Sequence, residues 1–85
     1  MILFFYKEGS RDCERVLNLL ESSSFVFYVK KINVEEDEAL ADIDIHNVCM
    51  VPTIVRVQTG KKLCGRNITK ESLEEILFQS CCIYT

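Results

Sequence analysis

Tryptophan is absent from this chain of 85 residues, proline and histidine occur once each, and glycine occurs three times. So few turn-forming residues leave little material for a linker or a low-complexity stretch, and neither these nor an internal repeat is visible. The single histidine, His46, excludes the Cys/His spacings of zinc sites, so no metal is expected. An excess of positive charge is missing too. Ten Lys and Arg against thirteen Asp and Glu give a net charge of −3, and the basic residues are scattered. Nucleic acid is therefore not an expected partner. Nor is there a long apolar run. The opening Ile2-Leu3-Phe4-Phe5-Tyr6 is closed by Lys7 and Glu8, which is too short for the apolar core of an export signal and far too short to cross a bilayer. No membrane partner is expected.

What is present fits a single domain over residues 1–85 with one modest core. The composition, 48% hydrophobic and 27% charged, lies in the ordinary range for globular proteins. Five cysteines, at positions 13, 49, 64, 81 and 82, are an odd number without an export signal. A disulfide framework is not expected, and the reducing cytoplasm is the expected compartment. A monomer is the expected state; exposed cysteines in the tail would make intermolecular disulfides on storage, so a dimer seen in vitro would prove little.

Along the chain, residues 2–6 read as a strand covered on both faces. Ser10 suits a helix N-cap, and Asp12 suits the first turn. Cys13, Val16, Leu17 and Leu20 then recur at helical spacing, predicting an amphipathic helix to about residue 22 that ends in Ser22-Ser23-Ser24. A second strand is expected from Phe25 to Val34, joined to the first by a right-handed helical crossover and hence parallel to it. Residues 35–46 begin with four acidic residues and predict a helix with Leu40 and Ile43 on its inner face, although Asp42-Ile43-Asp44-Ile45 also alternates like a strand. Asn47 would stop that helix in the left-handed conformation. Pro52 opens a strand Thr53–Val57, and Gln58-Thr59-Gly60-Lys61 reads as a hairpin turn into Lys62-Leu63-Cys64. Thr69 caps a last helix with Leu73, Ile76 and Leu77 on one face, and Cys81-Cys82-Ile83-Tyr84-Thr85 follows it.

The predicted order is β-α-β-α-β-β-α, an α/β class with a four-stranded mixed sheet flanked by three helices. Three motifs in that order resemble the glutaredoxin/thioredoxin superfamily. Tyr6-Lys7-Glu8-Gly9-Ser10-Arg11-Asp12-Cys13 matches its active-site turn with serine in place of the first cysteine of Cys-x-x-Cys. Val51-Pro52-Thr53 matches its cis-proline segment. Gly60, Leu63 and Gly65 follow in the hairpin and before the last helix. The resemblance covers roughly residues 1–80 and implies a thioredoxin fold. Cys64-Gly65-Arg66-Asn67-Ile68 has no acidic residue where glutaredoxins carry one, and the chain has no thioredoxin-type tryptophan, so neither subfamily is assigned.

The resemblance also implies an activity, thiol–disulfide exchange, and a set of site residues. A thiolate at position ten, stabilised by the helix N-terminus, would attack a substrate disulfide, and Cys13 would resolve the mixed disulfide. Ser10 cannot do this, because its hydroxyl is too weak an acid and no base stands beside it in sequence. The expected catalytic pair is thus Ser10, as the vacated nucleophile position, and Cys13. Lys7, Arg11, Asp12, Val51, Pro52 and Thr53 are the expected substrate contacts. Partners would be a disulfide-bearing protein or small disulfide, with glutathione or a thioredoxin reductase as electron donor, and no bound cofactor. Serine suits the cap equally well after natural loss of the thiol or after replacement of a cysteine. Cys13, on the apolar helix stripe, also reads as a plain packing thiol. A Cys13–Cys49 bridge and a Cys81-Cys82 sensor stay open, and so does a non-catalytic binding module that holds an extended peptide.

Overall fold

The computed structural model describes residues 2–22 and 29–78. Five strand-forming apolar residues, Ile2–Tyr6, make β1, and Arg11–Glu21 form α1. β2 spans Val29–Asn33. A 3-10 turn, Asp37–Ala39, leads into α2, Leu40–Ile45. β3 (Thr53–Arg56) and β4 (Lys61–Cys64) make a hairpin, and a second 3-10 turn, Gly65–Asn67, precedes α3, Lys70–Phe78. The sheet order is β2-β1-β3-β4, with β1 parallel to β2 and antiparallel to β3, and β4 antiparallel to β3. Among the described residues this is an α/β arrangement of four strands in a mixed sheet and three helices.

β1 is central, and its alternate residues feed two cores, as the period of a strand requires. Ile2 and Phe4 point to one face, where Val16 and Leu20 of α1, Ile54, Ile68, and Leu73 and Ile76 of α3 close over them. Leu3 and Phe5 point to the other, with Ile32, Ala39 and Val55, and with Ile43, Val48 and Val51 packed partly against them. Thus α1 and α3 share one face, and α2 covers the other.

The ends of the elements follow their residues. Ser22 closes α1 by donating its backbone N–H to Asn18 O, 3.0 Å. Asn47 takes the left-handed conformation (φ 53°) just beyond α2, as its small polar side chain permits. Thr69 caps α3 reciprocally. Its hydroxyl accepts from Ser72 N–H (3.1 Å), and its own N–H donates to Ser72 Oγ (2.7 Å).

Three expectations need correction. Leu40 is not inward-facing but 62% exposed, and Ala39 is the buried residue. Ala39 and Ile43, four residues apart, share the inner side, and Leu40 turns outward. β3 ends at Arg56, leaving Val57 in the turn and exposed, because Gly60 N–H closes onto Arg56 O at 2.8 Å. Arg56 at that strand end is buried, with Nη1 donating to Ile76 O (3.1 Å) and Nη2 to Gln58 Oε1 (3.3 Å). The second strand ends at Asn33, with Val34 in the following turn, although Val34 N–H still reaches Tyr6 O at 2.9 Å. The expected strand residues 25–28, Ser23-Ser24, the Leu77 side chain and the tail from Cys81 to Thr85 lie outside the described residues.

Candidate active site

Register brings three distant segments to one end of the sheet. Phe5 lies opposite Thr53, and Thr53 opposite Cys64. The end of β1, the start of β3 and the end of β4 therefore coincide. Lys7–Ser10, Val51-Pro52 and Gly65–Ile68 all emerge there.

Gly9 makes the turn out of β1 at φ +83°. A Cβ there would meet nothing within 4 Å, so the demand is on backbone conformation rather than space. Ser10 is the N-cap of α1, in extended conformation, and its side-chain oxygen accepts from the Cys13 N–H at 3.4 Å. The Ser10 carbonyl takes the Glu14 N–H at 3.0 Å, starting the helix. Whatever side chain stands at position ten thus faces the first-turn N–H groups, where a helix favours negative charge.

Cys13 is 3% exposed, and its sulfur accepts from the Lys7 N–H at 3.4 Å. This thiol lies below the turn rather than on it. It borders a cleft of about 340 Å³ between β1 and α1, whose walls include Tyr6, Leu17 and Lys31. Lys31 belongs to β2 and Pro52 precedes β3, so cleft and proline segment flank β1 on opposite sides. Sequence spacing gives no hint of this cleft, because Lys31 reaches it through strand pairing with Phe4.

Arg15 of α1 reaches across to the segment before α3. Its Nη1 donates to Ile68 O at 2.7 Å and its Nη2 to Gly65 O at 3.2 Å. The Gly65 N–H in turn donates to Pro52 O at 2.9 Å. Arg15, Gly65 and Pro52 therefore tie the three converging segments together. Gly65 sits at φ +54°, and a Cβ there would come 3.0 Å from Met50 Cε.

The remaining expected contacts divide. Lys7, Arg11 and Asp12 are exposed on the turn and first helical turn, and Asp12 Oδ1 lies 3.8 Å from Arg15 Nε, an exposed pair of small energetic weight. Val51 is half-buried, and the Val51-Pro52 peptide bond is cis. Thr53 is buried. Its hydroxyl donates to Met50 O at 2.6 Å and lies 3.7 Å from Cys64 Sγ, so the side chain is spent inside the fold. Cys13, Cys49 and Cys64 are free thiols. Cys13 and Cys49 belong to opposite faces of the sheet, the first on α1 and the second beside α2, which rules out the bridge between them. His46, at the end of α2, sets its ring edge-on to Phe5 with centroids 6.3 Å apart.

Among the described residues no cluster of three metal-ligating side chains forms, and no helix is long and apolar enough to cross a membrane. No protein-family model matches the chain, and no curated protein matches it.

Proposed function

We propose that the chain is a thioredoxin-fold protein of the glutaredoxin/thioredoxin type, with thiol–disulfide exchange as its parent chemistry and Ser10 in the place of the attacking thiol. One observation carries this reading. Ser10 caps α1 with its side chain against first-turn N–H groups, and Cys13 lies buried behind it with its sulfur on the Lys7 N–H. The strand order β2-β1-β3-β4, with α1 and α3 on one face and α2 on the other, supports the fold assignment.

The parent reaction is balanced by two thiols. A thiolate at position ten attacks one sulfur of a substrate disulfide, and the other sulfur leaves as a thiolate and takes up a proton. Cys13 then loses its proton, attacks the mixed disulfide and releases the second substrate thiol, leaving a protein disulfide for a donor to reduce. With serine at position ten the first step has no nucleophile. The substrate would be a disulfide-bearing protein or small disulfide, lying along Val51 and Pro52, in a reducing compartment with glutathione or a thioredoxin reductase as donor.

The decisive experiment compares disulfide reduction by the chain and its Ser10→Cys variant, with each donor in turn. Activity in the variant alone is the expected result, with a position-ten thiol whose alkylation reports a pKa below that of a free cysteine, as a helix N-terminus imposes. A folded variant that neither reduces disulfides nor carries an acidic thiol overturns the redox reading. The buried state of Cys13 together with serine at position ten favours one second reading, a binding module that uses the same segment without chemistry. That module would bind an extended peptide equally well with or without the Ser10→Cys change.

A further inference from the structure

The outer side of α2 carries two properties that the redox reading does not use. The first is apolar exposure. Leu40 is 62% exposed, and beside it an open groove of about 680 Å³ runs between α2 and the following loop, with Ile43, Val48 and Cys49 among its lining residues and Asp44 at its edge. An exposed leucine over an apolar groove leaves hydrophobic area in water that a partner would remove.

The second property is charge. Six of the thirteen acidic residues fall within residues 35–45, a run with no Lys or Arg, whereas elsewhere ten basic residues outnumber seven acidic ones. None of these acids is held in an ion pair among the described residues, where the pairs are Arg15–Asp12 and Lys61–Glu75. Lys62, the cation nearest the end of α2, donates to His46 O at 2.8 Å and to Asn47 O at 3.5 Å, so it serves helix carbonyls. Lys30 and Lys31 face Glu36, Glu38 and Asp42 across a separate polar cleft of about 310 Å³ on the β2 flank. At the groove itself Asp44 lines the wall, Lys62 stands at the Asn47 end, and Asp37 lies three residues before Leu40 in the 3-10 turn, where residues three apart align.

We infer that this face of α2 docks a basic amphipathic helix of a partner protein. An apolar side chain of that helix would enter the groove beside Leu40, and its lysines or arginines would meet Asp37 and Asp44. Helix-in-groove recognition uses apolar anchors at helical spacing, and complementary charge sets orientation and encounter rate. The surface lies on the sheet face opposite α1 and is independent of position ten.

The test uses the full chain and a synthetic leucine/lysine amphipathic helix of about five turns, titrated by fluorescence from a tryptophan placed in the peptide. Saturable binding that weakens as salt rises is expected. Leu40→Ser should weaken it about tenfold, the worth of one buried leucine, and Asp44→Lys should weaken it several-fold. Glu74→Lys, on exposed α3, should leave it unchanged, and circular dichroism verifies that each variant is folded. Amide shifts should concentrate in residues 37–49. Three outcomes would overturn the inference: no saturable binding, equal loss from Glu74→Lys and Asp44→Lys, or indifference to Leu40→Ser. A fourth is a dimer of this chain that Leu40→Ser dissociates, which would make a second copy the occupant.

Discussion

The two faces of the sheet are covered by helices of very different quality. On one, α1 and α3 bring Val16, Leu20, Leu73 and Ile76 down onto Ile2, Phe4 and Ile54, and two arginines reach across to main-chain carbonyls. On the other, Leu3, Phe5, Ile32 and Val55 form a floor that is just as apolar, but the cover is a six-residue helix with no fully buried side chain of its own. Ala39, in the turn before it, is the one fully buried residue that segment contributes. The sheet supplies similar apolar surface to both sides, so the difference lies in what the covering segment returns. A helix too short to be stable alone depends on packing, and α2 has little of it. The thick face holds the candidate active site in place, and the thin face is the part of the molecule most ready to open or to accept a partner.

The comparison breaks most directly at matched apolar truncations. Leu20→Ala, in a fully buried position of α1, should destabilise the fold by about 3 kcal/mol, while Ile43→Ala, half-buried on α2, should cost about 1 kcal/mol. Urea unfolding of both variants measures this, and equal losses would mean that α2 is as firmly packed as α1. Next in size is Arg56→Met. The apolar stem is replaced, but the Ile76 carbonyl loses the guanidinium that bonds it at 3.1 Å, and losing a buried hydrogen bond from a charged group costs about 2 kcal/mol. Amide exchange should then accelerate in α3 while α2 is unaffected, since Arg56 lies on the face that α3 covers.

How far this was legible in the sequence depends on how local each signal is. β1 and α1 were readable because five consecutive apolar residues, a serine cap and a helical stripe are all short-range patterns. Ser10 and Cys13 were readable for the same reason, since cap and first turn are neighbours by construction. The Arg15 clamp was not, because its partners Gly65 and Ile68 lie some fifty residues away. An arginine offers its fork to any carbonyl that the fold happens to bring near. Arg56 was hidden likewise: a charged residue inside the expected strand Thr53–Val57 carries no local sign of burial, which follows from α3 crossing above it. Leu40 is hidden for a different reason. Leu40 and Ile43, three residues apart, read as one inner face, but the face that packs runs through Ala39 and Ile43, four apart, which leaves Leu40 on the outer side.

The outward position of Leu40 leads to the smallest expected effect, and the one that sharpens the contrast most. If Leu40 were a core residue of α2, as its spacing from Ile43 suggests, Leu40→Ser would leave a cavity and cost about 3 kcal/mol. At 62% exposure it has little native burial to lose, so the change in unfolding free energy should stay within about 0.5 kcal/mol. A urea midpoint that does not move, in a variant whose affinity for the basic helix falls, would separate stability from recognition at a single side chain. A midpoint that drops with the affinity would instead place Leu40 in the second core and make α2 a structural cover like α1.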